Sequence, residues 1–262
     1  MLPFGLRKAF LAMVLFLALH CLSPSASMLA EPSPTTGDYS DLVTGTDPVS
    51  TRVVRLSVPL VLQSRGPLCG PASIEMIFRF WGETRYDQYD IARALAWKFR
   101  DERRYRDSDT VKQIRNGRTA SQMNWGSYPG TGTYYMRTFL EPFAPTDNPR
   151  IKALPSDDLE AKKVARRFLQ KMKGHLDSGV PVIVHQWYDA RKTSQHYRIV
   201  TGYDDRKRIL FLNDPRKGAL EMSEEEFLEL WRVEEDWLPF NFIVFNRYAP
   251  GQIKRGQLRV AL

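Results

Sequence analysis

The stretch that decides the fold spans residues 69–82 and reads CGPASIEMIFRFWG. Four large apolar side chains recur in it at helical spacing: Met76, Ile77, Phe80 and Trp81. Such spacing places them on one face, so we predict a helix that is buried on one side. Pro71 suits the first helical position and Gly82 suits the stop, which sets the expected bounds of this helix.

Helical patterns continue towards the middle of the chain, and strand patterns fill its last third. The predicted elements are helices over residues 88–99 and 157–178, strands over residues 180–184, 197–203 and 208–213, a helix opened by Ser223 through Trp231, and a strand over residues 240–248. The second and third strands form a hairpin. Because helices come first and strands follow, we predict an α+β fold with an N-terminal helical half packed on a C-terminal antiparallel sheet.

Residues 100–132 form a polar, basic and glycine-punctuated segment that is too long for a plain connector. We predict that it forms a surface loop region over a cleft and carries Trp125 and Tyr128. These two residues are candidates for binding substrate, and so is His185, which ends an apolar strand. His185 fits two interpretations, a core histidine or a cleft residue.

The N-terminus has the order of a secretory signal peptide. Arg7 and Lys8 precede an apolar run over residues 9–19, and small residues follow up to Ser27. The run is too short to cross a bilayer, which takes about 20 apolar residues. We therefore expect an exported protein, periplasmic or secreted, with no transmembrane span once the signal is removed.

This pattern divides the chain into a signal peptide (residues 1–27), a flexible linker rich in Pro, Ser and Thr (residues 28–50) and one domain (residues 51–262). Cys21 raises the alternative of a lipid-anchored protein. His20 argues against it, because lipoprotein processing requires a small residue at that position.

The basic balance of the chain does not by itself indicate nucleic acid. The 262 residues carry a net charge of +8, with Lys and Arg scattered among acidic residues. No helix-turn-helix, zinc-finger or RNA-stacking motif accompanies them. An anionic cell envelope suits this charge equally well, so nucleic acid is not an expected partner.

Cys69 is the only cysteine left after signal removal, which excludes an internal disulfide in the mature chain. A free cysteine is often just a small buried apolar residue. Cys69, however, stands where the chain enters a helix, and the positive helix end there stabilises a thiolate and lowers the pKa of the thiol. We therefore predict that Cys69 is a nucleophile.

Three histidines could act as its base: His175, His185 and His196. His175 lies in a basic helix and fits a solvated surface. A hairpin folded about Asp205 brings His196 opposite Asp214 within about one residue, where a carboxylate orients the ring as in a catalytic triad. We expect the Cys69 sulfur to face the other ring nitrogen. Gln63, six residues before Cys69, could donate to the oxyanion.

Three motif blocks in this order resemble the double-glycine leader peptidase family, cysteine peptidase family thirty-nine. The blocks are Gln63 with Cys69-Gly70-Pro71-Ala72-Ser73, HYRIVTGYDD over residues 196–205, and Leu212-Asn213-Asp214-Pro215. The resemblance covers residues 55–248 and implies a papain-like cysteine peptidase fold. It also implies a triad of Cys69, His196 and Asp214, an oxyanion hole with Gln63, and hydrolysis of a peptide or protein substrate without metal or organic cofactor.

The sequence therefore predicts an exported cysteine peptidase, similar to the stand-alone members of the family. It carries neither the membrane spans nor the nucleotide-binding motif of the transporter-linked members. Two alternatives stay open. One is a papain-like acyl transferase that uses the same triad, and the other is a non-enzymatic envelope-binding module with this fold.

Overall fold

The computed structural model describes residues 51–151, 153–233 and 238–246. The predicted signal peptide, linker and Cys21 lie outside these residues, and so does the end of the last predicted strand. Within the described ranges no helix is both long enough and apolar enough to cross a membrane.

The helices and strands follow the predicted order. They are β1 (Val53–Arg55), α1 (Cys69–Phe80), α2 (Gln88–Lys98), α3 (Asp109–Arg115), α4 (Thr133–Leu140), β2 (Thr146–Asp147), α5 (Asp158–Asp177), β3 (Val182–Trp187), β4 (Gln195–Asp204), β5 (Ile209–Asp214), β6 (Gly218–Ser223), α6 (Glu224–Trp231) and β7 (Phe242–Phe245). Five helices, α1 to α5, precede strands β3 to β6, which confirms the predicted α+β class. Ser223 caps α6 as expected, because its hydroxyl accepts the N–H of Glu226 at 3.1 Å.

Helix α1 differs from its prediction in two respects. It begins at Cys69 with Leu68 as N-cap, so Pro71 stands inside the first turn, where a missing N–H costs no intrahelical bond. It is also buried almost all round, from Gly70 to Phe78, because it packs against both α2 and β4. Even Glu75 is buried, with its carboxylate accepting the N–H of Gln88 at 2.7 Å.

The segment over residues 100–132 is not the surface loop region that its polar composition predicted. It contains α3 and two 3-10 turns, Ala120–Gln122 and Trp125–Ser127. A few apolar side chains anchor it in the helical core: Tyr105, Val111, Ile114, Met123, Trp125 and Tyr128. Sparse anchors among many charged residues are enough to bury a segment, and average polarity does not reveal them.

The strands form one seven-stranded antiparallel sheet. Its order is β2-β7-β3-β4-β5-β6, and β1 pairs with the far end of β4. Strand β6 is not predicted from the sequence. Met222 is its only buried residue, as suits a strand at the edge of a sheet, so it lacks a clear alternation of apolar and polar residues.

Each face of the sheet is covered by a different set of helices. Ile183, Ile199 and Ile243 pack in the core built by α1 to α4. Their neighbours Val182, Val200 and Val244 pack in a second core with α5 and α6. This alternation follows the two-residue period of a strand. It gives the domain three layers, in which the N-terminal helices pack on one face of the sheet as predicted.

Gly202 allows β1 to close over β4. A Cβ atom at this position would lie 2.0 Å from the Val54 carbonyl oxygen, far inside van der Waals contact. The strand pairing also shifts between Val200 and Gly202, which marks a β-bulge. The close approach therefore requires a residue without a side chain.

We expect Gly202→Ala to destabilise the protein by about 1–3 kcal/mol, since β1 must move to admit the methyl group. The matched control is Gly174→Ala in α5, where the added methyl meets nothing within 4 Å. That variant should gain about 0.5–1 kcal/mol, because alanine favours a helix. Urea unfolding measures both, and equal effects of the two substitutions would contradict the steric explanation.

Candidate active site

Cys69 is the first residue of α1 and lies where two cavities meet. One cavity, of about 400 Å³, is bordered by Cys69, His185 and Tyr197 among others. The second, of about 280 Å³, is bordered by Cys69, Gln63 and His196. The thiol is half-buried. A group bound in either cavity would therefore lie beside the sulfur.

The expected lowering of the Cys69 pKa is wrong. Burial raises the pKa of this thiol, and the backbone N–H groups of Tyr197 and Gly70, which lower it, do not compensate. The start of a helix lowers the pKa of a thiol, but the loss of water that accompanies packing on β4 raises it more. Cys69 is therefore a thiol rather than a thiolate at neutral pH before substrate enters.

His196 and Asp214 form the pair that the sequence predicts, although the alignment differs. The Nε2 atom of His196 lies 2.9 Å from Oδ1 of Asp214. The register of β4 with β5 pairs Ile199 with Asn213, so Arg198, and not His196, lies level with Asp214. The hairpin turn begins later than predicted. His196 nevertheless lies two residues from Arg198 in the strand, and a displacement of two residues keeps the two side chains on the same face of the sheet.

Arg198 is the residue that sequence reasoning missed. It is fully buried, and its Nε donates to Oδ2 of Asp214 at 2.8 Å. Its other nitrogens donate to the carbonyls of Trp187 at 3.1 Å and Tyr188 at 2.6 Å. An arginine in the otherwise apolar run around Ile199 and Val200 was the available signal, because a buried guanidinium needs a buried anion.

Every side of the Asp214 carboxylate is occupied. Besides His196 and Arg198, Oδ1 accepts the backbone N–H groups of Arg216 at 2.7 Å and Lys217 at 3.0 Å. Burial alone raises the pKa of Asp214, but the His196 ring, the Arg216 N–H and the Arg198 guanidinium outweigh it and hold that pKa well below its usual range. Asp214 is therefore ionised throughout the range in which proteins work.

Burial lowers the pKa of His196, and Asp214, which raises it, offsets only part of this effect. The ring is therefore neutral at pH 7. The Asp214 contact favours the tautomer with the proton on Nε2, which leaves Nδ1 as the acceptor. No hydrogen bond joins this ring to the Cys69 sulfur in the described part of the chain, so their direct contact stays a prediction.

Gln63 borders the smaller cavity with Cys69 and His196. Its backbone N–H donates to the Pro215 carbonyl at 2.7 Å, which ties this loop to the residue after Asp214. Its Nε2 donates to the Gly66 carbonyl at 2.7 Å. An amide nitrogen has two N–H bonds, so one is left that can serve an oxyanion.

The three predicted substrate-binding residues separate into two groups. Trp125 and Tyr128 are buried in the helical core, where the Trp125 indole donates to the Ala120 carbonyl at 2.9 Å. Among the described lining residues of the two cavities, neither occurs. His185 is also buried, stacked on Tyr197 with 4.5 Å between ring centroids, yet it borders the larger cavity. His185 is therefore both a buried core histidine and a residue of the cleft.

The remaining histidine, His175, lies in α5 within 3.9 Å of Asp147, away from Cys69. Among the described residues, no three His, Cys, Asp or Glu side chains group closely enough to hold a metal ion.

The chain matches the Peptidase_C39 like family over residues 55–239. The chain therefore belongs to this family, and the predicted resemblance is confirmed. No curated protein matches it.

Solved structures with similarity to the chain include three C39 proteins. The putative C39-like peptidase from Bacillus anthracis has 15% identity and a TM-score of 0.42, covering 76% of this chain and 100% of that one. The double glycine motif protease from an AMS/PCAT transporter, in complex with the leader peptide, has 14% identity and a TM-score of 0.40, covering 75% and 95%. The peptidase domain of Streptococcus ComA, an ABC transporter, has 21% identity and a TM-score of 0.39, covering 70% and 94%.

We expect Arg198→Met to destabilise the protein by about 3–5 kcal/mol, because it leaves the Asp214 carboxylate buried without its guanidinium partner. Arg206→Met on the same hairpin is the control. Its side chain is 61% exposed and 3.9 Å from Asp204, and the expected cost is below about 1 kcal/mol. Urea unfolding measures both, and a loss at Arg198 no larger than at Arg206 would refute the structural role of the buried pair.

Proposed function

We propose that this member of the peptidase family is an exported cysteine peptidase with Cys69 as nucleophile and His196 as base. The single observation that carries the proposal is the shared cavity. Cys69 borders it from the start of α1, and His196 borders it with Asp214 behind the ring. This arrangement supports the proposal, because thiol catalysis uses a nucleophile, a base and an orienting carboxylate in this order.

In the proposed reaction, the Cys69 sulfur attacks the carbonyl carbon of the scissile bond, and its proton passes to Nδ1 of His196. The raised pKa of Cys69 and the lowered pKa of His196 favour a neutral thiol and a neutral imidazole before the attack. The proton therefore moves as the sulfur attacks and not earlier. Asp214 stabilises the imidazolium through Nε2. The tetrahedral oxyanion accepts hydrogen bonds from the free Gln63 N–H and the Cys69 backbone N–H.

Collapse of the intermediate breaks the C–N bond, and His196 returns the proton to the leaving amine. A thioester on Cys69 remains. Water then attacks this thioester with His196 again accepting a proton. The C–S bond breaks, His196 returns the proton to the Cys69 sulfur, and the second product leaves as a carboxylic acid. Cys69, His196 and Gln63 border the cavity, and Asp214 contacts the His196 ring from behind, so these four residues are sufficient for every step.

Cys69→Ala should abolish peptide hydrolysis, with a fall of about 10³-fold or more in kcat, since the nucleophile takes part in every step. A peptide mixture read by mass spectrometry measures this activity. The matched control is Ser73→Ala, one turn along α1, which removes a buried hydroxyl that has no hydrogen-bond partner. Ser73→Ala should retain activity. Hydrolysis that survives Cys69→Ala would overturn the proposal.

The export part of the proposal rests on the charged, apolar and small-residue order of residues 1–27. We expect the mature protein outside the cytoplasm, beginning between Ser25 and Glu31. N-terminal sequencing of the native protein measures this start. An intact Met1 in a cytoplasmic fraction would contradict export, and a lipid on Cys21 would replace it with membrane anchoring.

A further inference from the structure

The larger cavity beside Cys69 carries features that the proposed triad does not use. Arg104 and Arg150 border it, and its described lining includes neither Asp nor Glu. Gly130, Thr131 and Gly132 form part of its wall. Because it borders Cys69, a substrate whose scissile bond lies at the sulfur can place a neighbouring group in it.

Two buried polar side chains in this cavity lack a partner. His185 is 6% exposed and Asn241 is 1% exposed, and both border the cavity. Neither Nδ1 of His185 nor Oδ1 of Asn241 has a hydrogen-bond partner among the described residues. Leaving such groups unpaired costs about 1–3 kcal/mol each, so their retention beside a nucleophile points to a ligand that satisfies them.

The backbone holds Asn241 rigidly in this position. Its carbonyl accepts the Trp231 indole N–H at 2.9 Å, and its N–H donates to the Leu238 carbonyl at 3.1 Å. The preceding residue, Phe240, has a φ of 54°, a left-handed conformation that costs a non-glycine residue about 1–3 kcal/mol. This strained turn presents a preorganised amide to the cavity.

The electrostatics of the cavity select the sign of the ligand. Burial and the charges of His196 and Arg104 lower the pKa of His185 to about 3, so the His185 ring is neutral and the arginines supply the charge. Arg104 is fixed at the rim by donation to the Pro129 carbonyl at 3.0 Å. A lysine or arginine of the substrate would face like charge here, whereas a carboxylate would face opposite charge.

The hydrogen-bonding capacity of His185 and Asn241 also favours a carboxylate. With its amide turned, Asn241 donates from Nδ2, and neutral His185 donates from whichever ring nitrogen carries the proton. Both groups can therefore donate to a carboxylate bound in the cavity, whose lining also includes Thr131. A neutral amide could use these groups too, but it would gain nothing from Arg104 and Arg150.

We propose that this cavity, built by His185, Asn241 and Arg104, is a specificity subsite for an acidic substrate side chain next to the scissile bond. The inference rests on the proposed peptidase function, because the subsite is defined by its position beside Cys69. It names Asp- or Glu-containing peptides as the substrate class.

The test uses a library of short peptides in which each position carries Glu, Gln or Lys. Cleavage by the wild-type protein and retention on immobilised Cys69→Ala protein are both read by mass spectrometry. Glu at one position next to the cleaved bond should be enriched about tenfold or more over Gln, with Lys lowest, in both measurements.

Asn241→Asp should abolish this enrichment, because it places a like charge against the carboxylate. The matched control is Asn116→Asp at the exposed end of α3, which makes the same change outside the cavity and should leave the enrichment intact. Arg104→Gln is a second test on an exposed side chain, so the result does not depend on folding of a buried variant. It should reduce the enrichment several-fold.

Each outcome decides between the two proposals. Cleavage without preference for Glu, or with preference for Gln or Lys, overturns the acidic subsite and leaves the peptidase function standing. Enrichment that survives both Asn241→Asp and Arg104→Gln also overturns the subsite. Retention of Glu peptides without any cleavage by the wild type overturns the peptidase function and supports the subsite. Neither cleavage nor retention overturns both.

Discussion

The buried carboxylate of Asp214 is the constraint on which the rest of the site depends. It has no exposed surface, so it is tolerated only because both of its oxygens accept hydrogen bonds. Arg198 takes one oxygen, and His196 with two backbone N–H groups takes the other. The arginine in turn binds the carbonyls of Trp187 and Tyr188, which secures the loop after β3 to the same anion.

Strand β4 carries out two tasks on alternate residues. Tyr197 and Ile199 pack in the helical core with α1, whereas His196 and Arg198 meet Asp214. A slip of one residue would exchange these sets and bury the wrong side chains. The core therefore fixes the same register that the ion pair needs, and His196 cannot move along the sheet relative to α1, which begins at Cys69.

Burial, more than local sequence, sets the proton chemistry of the site. Removal of water raises the pKa of Cys69 and lowers that of His196, which favours the uncharged pair. The positive helix end acts in the opposite direction at Cys69 but is the weaker effect. A local pattern identifies which groups are present, and their surroundings decide which of them are charged.

The sequence by itself determined the α+β order, most element positions, the family and the pairing of His196 with Asp214, because these follow from periodicity, caps and motif spacing over short distances. Tertiary structure alone decided the burial of α1 on all sides, the packing of Trp125 and Tyr128, the direction of the Cys69 pKa and the partner role of Arg198. Most of these depend on contacts between residues far apart in the chain, such as Cys69 with the Tyr197 backbone or Trp125 with Tyr89. A local sequence pattern does not predict how much water such contacts exclude.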